Sequence, residues 1–520
     1  MSFLVEEDIE FARRHIQRFY DTDFFPKHFA LDALWHCWKE VKPLIGSSLI
    51  RELPLSTPEA IVWPKPKGGF RVVHQLDPLS SVVYSAIAHS VAPSIEVART
   101  PKADWIACSY RFAISDGSYF DSGTGYDEFQ TQTKLLASSH SYVLITDITD
   151  FYNQIYIHRI RNAISFAAPN LNDRAEETEK LLMRWTSSNS QGLPVGPAAS
   201  IIFAEAVLID VDQFLRNKGV RHTRYVDDFR IFGSSEEQLR QVLRELTLYL
   251  YETHRLHLAG SKTHLSTSSE MLDAVFENPY ELEKINIFEE VGEILNPYTL
   301  EMETAVLEAG RAEAEEVLSL LMDRILKLPS LEVGLARAVI RRAKGLRLDT
   351  LVARVFEGMP KLLPVVNDVF LYIDTVCWPA AQPEVVAQFE SCVRTAVADE
   401  PAFKLWASWL ISRTPAYAAA PTLRNFVRSS GIAIAAARIA VIEKDIAWVR
   451  EKKNQYNSLS IDVRLATIFA SPILASDERA PWLRQLARRD GHATSMEKWM
   501  AQMALDDNVD HSFADDELPF

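Results

Sequence analysis

Cysteine is scarce: the 520 residues hold four, Cys37, Cys108, Cys377 and Cys392. Their spacing matches neither a disulfide framework nor a metal clip. That excludes a small disulfide scaffold and a zinc-finger module, and it fits a reducing cytoplasm. Long apolar runs are lacking too. The most apolar stretch, Gly431 to Ile442, is short and contains Arg438. It reads as a buried helix, so no membrane span is expected. Positive charge is in deficit: 55 Lys and Arg stand against 70 Asp and Glu, a net charge of −15. Proteins that hold long nucleic acid usually present a basic surface. An acidic chain that did so would have to gather its basic residues in a groove, or hold nucleic acid that is short or unusually attached. The N-terminus, Met1 to Asp8, is acidic and does not read as a signal peptide. Hydrophobic residues are plentiful, at 48%, which supports large cores and argues against wholesale disorder. The length has room for two to four domains.

The most informative stretch is Tyr225-Val226-Asp227-Asp228, followed by the β-favouring Phe229, Ile231 and Phe232. It reads as a β-hairpin with two carboxylates at its tip. Adjacent carboxylates repel, and a divalent cation relieves that repulsion. Two-metal phosphoryl transfer needs a further carboxylate. Asp147 lies 80 residues upstream, at the end of the apolar strand Tyr142 to Thr146, with Phe151 and Tyr152 just beyond it. A lone Asp-Asp pair is most often a solvated turn; the upstream strand with its own Asp reverses that balance. Residues 59–76 form a second hairpin pattern, two β-like runs around a Pro/Lys/Gly turn, which brings Lys65, Lys67 and Arg71 together. Such cations suit a triphosphate, and Arg grips phosphate through two nitrogens. Gly192 and Gly196, in the loop Gln191 to Ser200, permit close backbone approach before a helix over 201–215.

Other stretches read as scaffold. Residues 3–45 carry helical apolar faces, Phe11, Ile16, Phe19 and Tyr20, then Leu31, Leu34, Trp35 and Trp38. A helix is expected over 77–98, a loop over 114–130, a helix from about Asn153 to Ala167, and an amphipathic helix within 235–256. Arg111 reads equally as a template or nucleotide contact and as a structural salt bridge. Asp150 reads as a helix cap. Beyond residue 280, helical patterns punctuated by prolines suggest stacked helical hairpins, with no clean period.

In its motifs the chain resembles the reverse transcriptases. Asp147 with Phe151-Tyr152 is similar to the family's first catalytic motif. Gln191-Gly192-Leu193-Pro194 resembles its Gln-Gly motif, Tyr225-Val226-Asp227-Asp228 its Tyr-x-Asp-Asp box, and Leu258 to Thr263 its lysine motif. The resemblance covers roughly residues 50–270 and stops before the C-terminal half. It implies an α+β palm and fingers core, here followed by an all-α, HEAT-like C-terminal domain. The boundaries expected are 1–50 for an N-terminal helical segment, 51–275 for fingers and palm, 276–505 for the helical repeats and 506–520 for an acidic tail. That tail holds six acids and no Lys or Arg.

The resemblance further implies two Mg²⁺ ions, or Mn²⁺, held by Asp147, Asp227 and Asp228, with Asp147 and Asp227 as principal ligands. It implies a dNTP bound by Lys65, Arg71, Tyr152, Gln191 and Gly192, Tyr152 as the gate against a 2′ hydroxyl, and Lys262 as an aid to the leaving pyrophosphate. A reverse-transcriptase core followed by a large helical domain is similar to the bacterial abortive-infection and unknown-group defence enzymes. In that group some members extend DNA from a protein hydroxyl without a template, others copy a partner non-coding RNA, and assemblies of three or six subunits occur. Tyr20 is the candidate priming hydroxyl, and the DNA product would then be covalently attached. Two competing readings are an ordinary RNA-copying reverse transcriptase and a catalytically idle scaffold. A scaffold has no need of three convergent carboxylates.

Overall fold

The computed structural model describes residues 4–506, except 21, 122, 124, 188, 278–292, 296–301, 305–310, 378–381 and 489–494. Almost all of the acidic tail expected at 506–520 therefore lies outside the described residues.

The centre is a four-stranded antiparallel sheet in the order Arg221–Tyr225, Asp228–Gly233, Tyr142–Asp147, His264–Thr267. Both faces are covered, which explains why Tyr142–Asp147 is apolar on successive residues and does not alternate. On one face Val143 and Phe232, paired in register, pack with Leu136, Ala137 and Met271. On the other, Leu144 and Ile231 meet Leu239, Val242 and Leu246 of the helix Glu236–Tyr249. Two helices, Pro78–Ala98 and Ala198–Asn217, are buried nearly all round and fill the main core. The first is started by Asp77, whose carboxylate accepts the N–H groups of Leu79 and Ser80, with Pro78 in the first turn.

Several expected elements differ in detail. The helix after Asp147 comes in two pieces, Phe151–Gln154 and Ile157–Ala167. Residues 114–130 are not simply loop: strands Phe112–Ser115 and Ser118–Phe120 and the start of the helix Tyr126–Ser139 lie there. The Ser, Gly and Asp that suggested a loop supply its turns, at Asp116, Gly117 and Gly125, each with positive φ.

The C-terminal half is helical, and its longer helices pack in succession. Arg311–Lys327 lies on Val333–Gly345, that on Val366–Cys377, then Pro401–Arg413, Ala433–Glu443, Ile461–Ala470 and Ser495–Leu505. Pro383, Pro401, Pro415 and Pro421 each open a helix, so these prolines mark starts. The last helix closes on Leu31–His36, bringing Cys37 Sγ to 3.2 Å from Gln502 Oε1.

Side-chain packing divides the chain differently from its motifs. The main core joins the N-terminal helices, the sheet and residues from Tyr456 to Ala504. A second core holds the C-terminal helices together with Phe25, Trp63 and Val73. Trp63 and Val73 sit on one face of the hairpin formed by Glu59–Pro64 and Phe70–Gln75. Trp63 is 2% exposed, and its Nε1 donates to the carbonyl of Pro364 at 3.0 Å. Trp63→Phe should lose that bond and part of the ring, costing about 1–2 kcal/mol in urea unfolding.

Candidate active site

Asp147 ends its strand directly opposite Asp228, and Tyr225 pairs with Asp228 across the hairpin. That register leaves Val226 and Asp227 as a two-residue turn. Val226 takes φ 53°, a left-handed conformation that a β-branched residue adopts at a cost of about 1–3 kcal/mol. The turn is held from both sides. The Val226 N–H donates to Ser109 Oγ at 2.9 Å, and Arg224 Nη1 donates to the Val226 carbonyl at 3.1 Å.

Beneath the turn lies a buried ionic network. Arg224, fully enclosed, bonds Asp212 through Nε at 2.8 Å and Nη2 at 2.8 Å, and Glu205 through Nη1 at 3.1 Å. Glu205 also accepts from Arg99 at 2.8 Å and from Ser109 Oγ at 2.8 Å. Burial raises the Asp212 carboxyl, but Arg224 and His222 overcome it and hold it at about 2. Arg111 donates to Glu96 at 2.7 Å and to the carbonyls of Thr100 and Ala107. Of its two readings, the structural salt bridge is the one seen. Sequence reasoning passed over this network. Its signal was present: Glu205 and Asp212 stand seven residues apart, on one face of a helix that is buried along most of its length.

The three carboxylates share one field. Asp227 is pushed up to about 7, by burial first and then by Asp147 and Asp228. Asp228 is exposed along its strand, yet it too is raised, by the protein around it and by Asp147. Asp147 is 6% exposed, and its Oδ2 accepts from Lys262 Nζ at 2.5 Å. The Lys262 ammonium is held above its ordinary value; burial opposes this, and the bond to Asp147 with the charges of the three aspartates outweighs it. The chain brings Lys262 there because the Ala259 N–H donates to the Asp147 carbonyl, and Thr149 N–H to that of His257.

Among the described residues, no three of His, Cys, Asp and Glu converge into a finished metal cage. The donor chemistry nonetheless fits a hard divalent cation. The set is oxygen-only, its charges repel one another, and a cation already sits on Asp147.

The Gln191–Pro197 loop lies against both neighbours. Gly192 N–H donates to the Ile155 carbonyl at 2.9 Å, Leu193 N–H to that of Tyr152 at 2.9 Å, and Gln191 bridges Tyr156. Tyr152 is half-buried against the main core. On the other side, His74 N–H donates to the Val195 carbonyl at 2.8 Å and Val195 N–H to His74 Nδ1 at 3.0 Å. Gly196 is required here: its φ is 130°, and a Cβ would stand 2.7 Å from Thr22 Oγ1. Lys65 and Lys67 are exposed at the tip of the Glu59–Gln75 hairpin. Arg71 lies across from Trp63 and feels Asp23 and Asp227, which attract it, and Arg337, which repels it.

Tyr20 does not present a reachable hydroxyl. The helix Glu6–Phe19 ends there at φ 59°, and the turn drives the ring into the core, where it is 3% exposed and its hydroxyl accepts from Gln75 Nε2 at 2.7 Å. Asp150 stands at the start of the helix Phe151–Gln154, at φ 47°, but its carboxylate makes no cap bond to the helix backbone; Oδ1 accepts instead from Asn153 Nδ2 at 2.8 Å. Among the described residues, no helix is long and apolar enough to cross a membrane.

Residues 63–287 match the family model described as reverse transcriptase (RNA-dependent DNA polymerase). None of the curated proteins matches the chain significantly. Among solved structures, the chain is similar to apo telomerase from Candida tropicalis, with 12% identity, 71% of this chain and 72% of that one covered, and a TM-score of 0.33. It is also similar to telomerase from Candida albicans with the TWJ fragment of telomeric RNA, with 13% identity, coverage of 76% and 70%, and a TM-score of 0.31. Neither aligns well enough to bear on function.

Proposed function

We propose that this nucleotidyltransferase, whose reverse transcriptase domain spans residues 63–287, builds DNA from dNTPs in antiphage defence. The carrying observation is the register that sets Asp147 opposite Asp228, with Asp227 at the turn between strands and Lys262 on Asp147. The reaction is attack by a 3′ hydroxyl, or by a protein hydroxyl, on the α-phosphorus of a dNTP. The new P–O bond forms as the hydroxyl proton passes to water and the bond from the α-phosphorus to the bridging oxygen breaks, and pyrophosphate leaves. Asp147, Asp227 and Asp228 would hold Mg²⁺ or Mn²⁺, which when bound lowers the pKa of the attacking hydroxyl and screens the charge of the leaving group. Lys262, kept as the ammonium, hydrogen-bonds the departing pyrophosphate and offsets its charge. Lys65 and Arg71 bind the triphosphate, and Gln191 and Gly192 back the nucleotide.

In this reading Tyr152 is the gate, a ring beside the sugar that would leave no room for a 2′ hydroxyl. Tyr152→Ala should raise rNTP incorporation relative to dNTP by about ten- to a hundredfold. Unchanged sugar selectivity in a primer-extension assay would remove that role.

The defence assignment, with abortive infection as its outcome, rests on the domain order: a polymerase core followed by a helical half whose helices pack in succession, which supports a HEAT-like reading. Priming on a protein hydroxyl, a non-coding RNA partner and a homo-trimer or hexamer belong to the same reading. The deciding experiment incubates purified protein with Mg²⁺ and labelled dNTPs, without template or primer, and runs a denaturing gel with and without protease. Asp227→Ala is the control. Label that leaves the protein only after protease supports protein priming. Free product, or synthesis lost after RNase treatment, supports an RNA template. No Asp227-dependent product in either format, with primed poly(rA) as a further substrate, rejects the polymerase reading. Phage plating of intact protein against Asp227→Ala tests defence, and equal plaque counts reject it.

A further inference from the structure

We propose that Arg337, on the C-terminal helix Val333–Gly345, is a positioning residue for dNTP binding: by occupying Asp23 it leaves Arg71 available to the triphosphate. This rests on the reading of Arg71 as a triphosphate ligand.

The geometry is a relay between the two halves of the chain. Asp368, 3% exposed, pairs with Arg337 Nε at 2.9 Å and accepts from Arg341 Nε at 2.6 Å. The far end of Arg337, Nη2, pairs with Asp23 Oδ2 at 2.9 Å. Asp23 is fixed by the C-terminal helices as well. Its carbonyl accepts from Asn367 Nδ2 at 2.9 Å, and that of Phe24 accepts from Trp406 Nε1 at 2.8 Å. Phe24 meets Trp63 edge-on at 5.1 Å, and Trp63 is the cross-strand partner of Arg71.

Asp23, paired with Arg337, thus also attracts Arg71, which Arg337 repels. The Arg337 charge beside Asp23 offsets the field that the carboxylate exerts on Arg71. With Arg337 in place, Asp23 is already paired, which leaves Arg71 open to a triphosphate; Asp227 attracts Arg71 too, less strongly than Asp23 does. Remove the Arg337 charge and Asp23 becomes a stronger partner of Arg71. The nucleotide must then compete with an internal carboxylate for the same guanidinium.

The test is equilibrium binding of the non-hydrolysable analogue 2′-deoxythymidine 5′-(α,β-imido)triphosphate to the full chain with Mg²⁺, by calorimetry, so that no primer or template is needed. Arg337→Gln should raise Kd by about five- to tenfold, and Asp23→Asn added to it should restore Kd to within about twofold. Arg337→Lys, which keeps the charge, should lie near wild type. A merely structural role would not be rescued by a second lesion at Asp23, so weak binding in both the single and the double variant overturns the inference. So does an unchanged Kd in Arg337→Gln while Arg71→Ala binds weakly; that result leaves the Arg71 reading standing. Unchanged binding in Arg71→Ala instead refutes the Arg71 reading, and this inference with it.

Discussion

Asp227→Asn should cut nucleotide incorporation by at least about a thousandfold and, at pH 8 without metal, make the protein more stable by about 2 kcal/mol. Both effects have one origin. The wild-type carboxyl is pushed up to about 7 by burial and by Asp147 and Asp228. Its folded value lies above its unfolded one, so the folded state holds this proton more tightly. The resulting contribution is full below about pH 4 and is lost as pH rises through about 7. Above that, the folded protein carries a repelling carboxylate that asparagine does not reproduce.

Melting curves at pH 5 and pH 8 check this. Metal-free wild type should lose stability between them relative to Asp227→Asn. Mg²⁺ should recover it at pH 8 in wild type and much less in the variant, because binding requires the ionised form. A variant that melts below wild type at pH 8, or that retains activity, rejects the account of the cluster as a cation site.

The second large effect lies in the fold. Arg224→Met should destabilise the protein by about 3–5 kcal/mol, because Asp212 and Glu205 remain buried with their principal cation gone. Arg99 and Ser109 still hold Glu205, but among the described residues His222 alone remains bonded to Asp212. The same change frees the Val226 carbonyl, so the strained turn that carries Asp227 loses one of its ties. Urea unfolding measures the loss. Arg224→Met with Asp212→Asn should lose less than the sum of the two single variants, since each single change isolates the other buried charge. Strict additivity would mean that the two groups are not coupled.

Much of the candidate site was legible because its physics is local. A strand that ends in Asp147, and a β-turn that carries Asp227 and Asp228, are patterns of neighbouring residues. Gly192 and Gly196 were read as points of close approach, and Gly196 does meet Thr22. Tyr20 was read as reachable from its place between Phe19 and Asp21 near a helix end. Its burial follows from one backbone angle and from Gln75, which lies 55 residues away.

The sequence by itself determined the strand and helix periods, the hairpin carboxylates, the Lys262 motif and the helical character of the C-terminal half. Each depends on residues close in the chain, where alternation, glycine and proline act directly on the backbone. Only the tertiary structure decided that Trp63 and Val73 seal into the C-terminal core, that Glu205 and Asp212 find Arg224 and Arg99, and that Arg337 reaches Asp23. Those pairings join segments far apart in the chain. Their energy comes from enclosing charges and rings together, and spacing along a sequence says nothing of which distant partner will close the shell.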